Sequence, residues 1–193
     1  MLNIMLTGVG GQGTVLAAKI LAQAFEARGA HVRTAETIGM SQRGGSVISH
    51  VRMADAGSRV HSPLIPTGQA HVIIAFEPAE GLRVLPYLAS GGTLLSASSA
   101  IQPVTAALAG SDYSSASAVA AIRKHVPDAV IIDDRALLAA AGSPRVLNVV
   151  LLAAAQREGL LGIGVDELKA AVAACVKPRF AEMNLAAIDA VLA

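Results

Sequence analysis

The sequence predicts a three-layer α/β/α domain, a Rossmann-like mixed sheet with a helical C-terminal part, and three observations carry that prediction. Short apolar runs bounded by glycine or proline alternate with stretches of helical spacing, the pattern of an α/β core. One strand-like segment, "SVISHVRM", follows the strand before it too closely for a parallel return. From about residue 136 the pattern is helical throughout, so residues 1–135 form the expected core and 136–193 the helical part of one domain.

The elements follow in order. "MLNIMLTG" is a short buried strand stopped by glycine, and "TVLAAKILAQAFEARG" places Val15, Leu16, Ile20, Leu21, Ala24 and Phe25 at helical spacing before Gly29 ends the helix. "AHVRTAE" is a second strand, so residues 1–36 make a strand–helix–strand unit whose strands run parallel. Ser46–Met53 then alternates apolar and polar residues, the mark of a strand with one face open to water or a partner. A glycine-containing gap of about ten residues precedes it, while a parallel crossover needs roughly a dozen, so an antiparallel pairing is expected. Ala70–Pro78 is a buried strand, 79–88 a helix, and "GGTLLSAS" a turn and strand. Residues 98–118, rich in Ser, Ala and Gly, look least ordered; "VAAIRKHV" is helical and "DAVIIDD" a strand. Helices are expected over 136–141, 145–158, 165–175 and 179–192.

Composition narrows the function. A net charge of +1 with 3% aromatic residues excludes a nucleic-acid binder that works by phosphate neutralisation or base stacking. The single cysteine, Cys175, can neither close an internal disulfide nor ligate a cluster or structural zinc alone, and it reads as a core thiol. Runs such as Val149–Ala155 are too short for a membrane span and no secretory leader is visible, so a cytoplasmic protein is expected. With 53% hydrophobic and 15% charged residues, part of the surface is expected to lie under a partner.

The densest motif is "LTGVGGQG". Gly8, Gly10 and Gly13 match G-x-G-x-x-G between a strand and a helix, where glycines let the backbone approach a phosphate at the helix N-terminus. Glu36, ending the second strand, stands where a ribose-binding acid belongs, yet no second lobe and no second mononucleotide unit follow. The same glycines also suit a tight turn alone. "ETIGMSQRGGSVISHVRM" supplies a second loop, where Ser41, Arg43, Gly44 and Gly45 are polar or flexible and Arg43 is suited to a bidentate grip on an anion. Arg52 is expected on a solvated or interface face and His50 as a structural histidine; Asp133-Asp134 is expected to cap a helix.

Together, "GVGGQG…AAKILAQA", "ETIGMSQRGGSVISHVR", "SPLIPTGQAHVIIAFEP", "YLASGG" and "KPRFAEMNLAAI" resemble the gamma-type subunit of the 2-oxoacid:ferredoxin oxidoreductases, in its indolepyruvate branch, from about Ile4 to Ala190. The resemblance implies oxidative decarboxylation of a 2-oxoacid to an acyl-CoA, with ferredoxin as electron acceptor of the complex. It assigns thiamine diphosphate, Mg and 4Fe-4S clusters to a large alpha subunit, with coenzyme A as co-substrate and no catalytic or metal residue on this chain. The residues it points to are Gly8, Gly10, Gly11, Gln12 and Gly13, then Ser41, Arg43, Gly44, Gly45 and Glu77. They would hold an anion, either a coenzyme A phosphate or the substrate carboxylate, while Glu77 could equally cap a helix. Lys177 and Asn184 coincide with polar positions of the family's last helix, and Ser62–Ile65 with a loop-shaping segment. An asparagine expected after the "GG" strand is replaced by "SASSA" at 96–100, which bears on substrate identity. A free-standing NAD- or flavin-binding oxidoreductase and a non-catalytic scaffold are the alternatives, and without its partner the chain could form a homodimer.

Overall fold

The computed structural model describes residues 1–39, 44–101 and 113–193. Its described elements are β1 (Leu2–Val9), α1 (Thr14–Ala27), β2 (His31–Ile38), β3 (Ser46–Ala54), β4 (Ala70–Ala75), α2 (Pro78–Arg83), β5 (Leu88–Ala97), α3 (Ser115–His125), β6 (Val130–Ile132), α4 (Asp134–Ala140), α5 (Leu147–Arg157), α6 (Val165–Cys175) and α7 (Pro178–Leu192). The expected 79–88 helix is shorter, because Pro86 lies in a separate 3₁₀ turn at Leu85–Tyr87. Of the segment expected to be least ordered, 102–112 lies outside the described residues.

The sheet has the order β2-β3-β1-β4-β5-β6. β3 pairs antiparallel with β2, from His31↔Ala54 to Ile38↔Val47, and antiparallel with β1, from Leu2↔Met53 to Val9↔Ser46. The other pairings, β1 with β4, β4 with β5 and β5 with β6, are parallel. β1 and β2 therefore run the same way, as the strand–helix–strand reading required, but β3 separates them. The mixed sheet follows from the short gap before β3, which allows only a hairpin-like return. As a consequence the turn after β1, the turn between β2 and β3, and the end of β4 share one edge of the sheet.

Two apolar layers flank the sheet. Ile4 and Leu6 face α1, α5, α6 and α7, while Met5, Ile73 and Leu94 face Ile65, Val84 and Ile122 on the other side. Val149–Ala155 is buried all round, so the longest apolar run is the central helix of the larger layer. Among the described residues no single helix is long and apolar enough to cross a membrane.

The reading of β3 as half-open needs correction. Lying between two strands, it buries Val47, Ser49, His50, Val51 and Arg52. Arg52 is 8% exposed and donates to Asn3 Oδ1 at 3.0 Å and to the carbonyls of Ser62 at 2.8 Å and Leu64 at 3.0 Å. Two residues along the same face, His50 Nδ1 accepts the Ile65 N–H at 3.2 Å, and its ring meets Tyr87 edge-on at 6.3 Å. A guanidinium and an imidazole thus fold Ser62–Ile65 against the sheet, and Arg52 is a structural clamp where a surface charge was expected.

Replacing Arg52 by Met leaves the buried Asn3 Oδ1 without a donor, at roughly 1–3 kcal/mol, and releases the half-open Ser62 and Leu64 carbonyls, which water can reach, at less. Arg52→Met is expected to lower unfolding free energy by about 3 kcal/mol in a denaturant titration. Burial, and then the Arg52 charge, hold the His50 pKa below its ordinary 6.5. The unfolded chain then binds the proton more readily than the folded one, so this contribution is complete above the unfolded value and is lost as pH falls below 6.5. The midpoint of unfolding should be level above neutrality and fall below it, with a shallower fall in His50→Gln.

Candidate functional site

The glycine turn divides its work. A Cβ on Gly8 would lie 2.7 Å from Gln12 Oε1 and 2.8 Å from the Phe76 Cβ, and one on Gly13 would lie 3.2 Å from the Asn148 side chain. Gly13 also has φ +86°, so these two glycines answer the protein's own packing. Gly10 and Gly11 are exposed instead, with open space around Gly11 at φ +101°. Gly13 is the N-cap of α1 and no side chain caps that end, so the first N–H groups of the helix are open to an anion.

Gln12 was expected to offer its amide to a ligand. Its side chain turns inward: Oε1 accepts the Val9 N–H at 2.7 Å and Nε2 donates to the Phe76 carbonyl at 2.9 Å. The amide bridges the ends of β1 and β4 across the place where the chain switches sides of the sheet. In open α/β sheets that crevice receives ligands; here Gln12 fills it, and a ligand of the turn must lie on its outer rim.

That rim is where the second loop arrives. Gly10 N–H donates to the Gly45 carbonyl at 2.9 Å, and Gly39 N–H donates to the Ser46 carbonyl at 2.8 Å. Gly44, at φ +73°, is exposed. Ser46 Oγ donates to Glu80 Oε2 at 2.5 Å, which ties the start of β3 to α2. Residues 40–43, Ser41, Gln42 and Arg43 among them, lie outside the described residues, and Gly45, which follows them, stands beside the glycine turn.

Glu77 is 1% exposed and both its oxygens are engaged. Oε2 accepts the Glu80 N–H at 3.0 Å, the capping bond of α2, and Oε1 accepts the Tyr113 hydroxyl. Burial and then this carboxylate push the Tyr113 phenol far above its ordinary range. Of the two roles open to Glu77, the helix cap is the one its contacts serve. Asp133 likewise caps α4, while Asp134 Oδ1 accepts the N–H groups of Ser98 at 3.0 Å and Ser99 at 2.9 Å.

The dinucleotide alternative loses its acid. Glu36 pairs with Ser49, and Ser49 with Leu6, so Glu36 is two strands from β1 and level with its middle. Two strand spacings are about 10 Å, and β3 fills them. Glu36 cannot reach a ribose whose phosphates rest on Gly10 and Gly11.

A further set of residues was not legible as a cluster. Leu16, Asn148, Cys175, Lys177, Phe180 and Asn184 line an open groove of about 360 Å³ beside Gly13. They come from α1, the start of α5 and the α6–α7 junction, and nothing in their spacing announces that they meet. Asn184 Nδ2 donates to the Phe180 carbonyl at 2.7 Å. Cys175 is half-buried on this groove, which corrects its reading as a core thiol; burial raises its pKa.

With the geometry described, comparison with known proteins gives one consistent result. The profile of the pyruvate ferredoxin/flavodoxin oxidoreductase family matches residues 3–193. The indolepyruvate oxidoreductase subunits IorB of Pyrococcus horikoshii and Archaeoglobus fulgidus are each 35% identical to it, over 97% of this chain and 92% of theirs. The gamma subunit of the keto/oxoacid ferredoxin oxidoreductase of Geobacter sulfurreducens shares the fold at a TM-score of 0.68 and 22% identity, covering 100% of this chain and 99% of that one. The 2-oxoglutarate:ferredoxin oxidoreductase of Magnetococcus marinus, solved with 2-oxoglutarate, coenzyme A and succinyl-CoA bound, aligns at 0.69 and 21% identity over 97% of this chain and 30% of its own. The chain belongs to the pyruvate ferredoxin/flavodoxin oxidoreductase family.

The turn's division of labour is measurable. Gln12→Leu leaves the Val9 N–H and Phe76 carbonyl unpaired and should cost about 2 kcal/mol in chemical unfolding. Gly13→Ala adds a crowded Cβ to a left-handed backbone and should cost about 2 kcal/mol, whereas Gly11→Ala meets only backbone strain, about 1 kcal/mol.

Proposed function

We propose that this chain is the thiamine-free subunit of an indolepyruvate-type 2-oxoacid:ferredoxin oxidoreductase. In this reading it presents an anion-binding rim to a site completed by a large partner. The observation that carries the rim is the Gly10–Gly45 hydrogen bond, which sets the second loop beside the uncapped N-terminus of α1. Gly10, Gly11, Gly44 and the open N–H groups allow close approach of an anion, and Arg43 supplies the charge. The anion is a coenzyme A phosphate or the 2-oxoacid carboxylate. Gln12 and Glu77 hold the rim rigid from within, since their own hydrogen bonds are already made.

Thiamine diphosphate, Mg and the 4Fe-4S clusters belong to the partner in this reading, and the thiamine supplies the carbon chemistry. This chain's residues do not fit a cluster, because a single half-buried cysteine offers one thiolate where such a cluster takes several. Ferredoxin is the proposed electron acceptor of the complex. A partner also suits the sheet edge: Arg33, Thr34, Glu36, Thr37 and Ile38 of β2 are exposed, and Ile38 is 65% exposed on a strand that ends the sheet among the described residues. Alone, the chain is expected to self-associate through such surface, which sedimentation against concentration would reveal.

The decisive experiment is co-expression with a large thiamine- and cluster-bearing subunit, followed by dye reduction. Activity should require both chains, indolepyruvate and coenzyme A. Arg43→Ala should raise the KM for the anion it grips by about tenfold, the worth of one charge-assisted hydrogen bond, with Arg43→Lys intermediate. A chain that purifies alone as a monomer and adds nothing to the partner's activity overturns the reading.

A further inference from the structure

The connection from β3 to β4, residues 55–69, has no helix or strand of its own. Of its side chains only Val60 and Ile65 are buried, at 2% exposure each, and Ile65 packs into the apolar layer of Met5, Ile73, Val84 and Leu94. The N–H groups of these same two residues end on imidazoles. Val60 N–H donates to His31 Nδ1 at 3.1 Å, and Ile65 N–H donates to His50 Nδ1 at 3.2 Å. A third imidazole stands at the exit, where Asn3 Nδ2 donates to the Gln69 carbonyl at 2.8 Å and Asn3 N–H donates to His71 Nδ1 at 3.0 Å. Three histidines on three different strands thus accept a backbone N–H along one connection.

A neutral imidazole has one acceptor nitrogen, and a proton on that nitrogen turns it into a donor. Each of these bonds is therefore lost when its Nδ1 is protonated. Among the described residues the other hydrogen bonds from the connection to the body are those of the Ser62 and Leu64 carbonyls to Arg52 and of the Gly68 N–H to the Pro86 carbonyl. The surrounding charges do not favour a proton. On the strands they are Arg52, two residues from His50, and Arg33, two residues from His31 and opposite Arg52 in register. Tyr87 meets the His50 ring, and the connection itself carries Asp55, Arg59 and His61, all exposed. Burial and then Arg52 hold the His50 pKa below 6.5, so the closed form takes up the proton less readily than an open one. A segment with two buried side chains and a handful of polar ties opens at a lower free energy than the whole domain.

We propose that residues 55–69 form a proton-released strap, closed over the sheet while His31 and His50 are neutral and opening locally, ahead of global unfolding, when their Nδ1 atoms are protonated. Opening lifts Ile65 from its layer and bares that apolar face of the sheet at mildly acidic pH. The device is independent of the proposed function of the glycine rim, since it uses none of the rim's residues.

Amide hydrogen exchange of the full chain, followed residue by residue by NMR and corrected for intrinsic rates, tests it between about pH 8 and pH 5. Protection of the Ile65 N–H should be level above about pH 7.5 and roughly tenfold lower at pH 5.5, the effect of one proton taken up below 6.5. The Val60 N–H should move in the same direction, while Leu151–Ala155 of α5 keep their protection. His50→Asn places an amide oxygen about where Nδ1 stands and cannot take the proton, so its Ile65 protection should stay within about twofold across the range. Level Ile65 protection in the native chain, or a fall shared equally by α5, overturns the proposal. So does an unchanged fall in His50→Asn. Should that variant fold poorly, the comparison of Ile65 with α5 in the native chain still decides.

Discussion

The insertion of β3 between β1 and β2 is the constraint on which the rest of this structure depends. A parallel neighbour at that position would bring the β2 acid to the glycine turn and make a dinucleotide site. The reversed strand instead brings its own N-terminal end there, with Gly45 against the turn. One backbone hydrogen bond, Gly10 to Gly45, records the outcome. The same insertion removes Glu36 from any ligand on the turn and turns Arg52 inward, where it clamps Ser62–Ile65.

The edge of the sheet is then knitted together by side chains of the kind a ligand uses. Gln12 joins β1 to β4, Ser46 joins β3 to α2 through Glu80, and Glu77 joins α2 to Tyr113. Each bond is buried or partly buried, where an unpaired partner costs more than the bond itself contributes. Rigidity of this kind suits a surface that must present a fixed rim to another subunit, because little ordering is left to be done on binding.

The three-helix layer has a different logic. Gly13 packs against Asn148, so the turn is fitted to the helices behind it as closely as to whatever lies before it. Lys177, the N-cap of α7, works against the helix dipole.

The sequence by itself determined the strand and helix periods, the mixed character of the sheet, the helical C-terminal part and the membership of the chain in its family. These rest on local patterning and on motif order, both of which survive in one dimension: four glycines in Gly8–Gly13, a short glycine-bearing gap before Ser46, and apolar runs of helical or strand length. What only the tertiary structure decided were the partners of individual side chains. Gln12, Glu77 and Arg52 read as groups available to a ligand or to solvent, and each is committed to atoms far away in sequence. Asn148 read as nothing, because a polar residue opening an apolar helix has no signature until Gly13 and Phe180 come to lie beside it. Hydrogen-bond satisfaction is a property of pairs brought together by folding, and the alternation of apolar and polar residues along a chain carries no record of which pairs those will be.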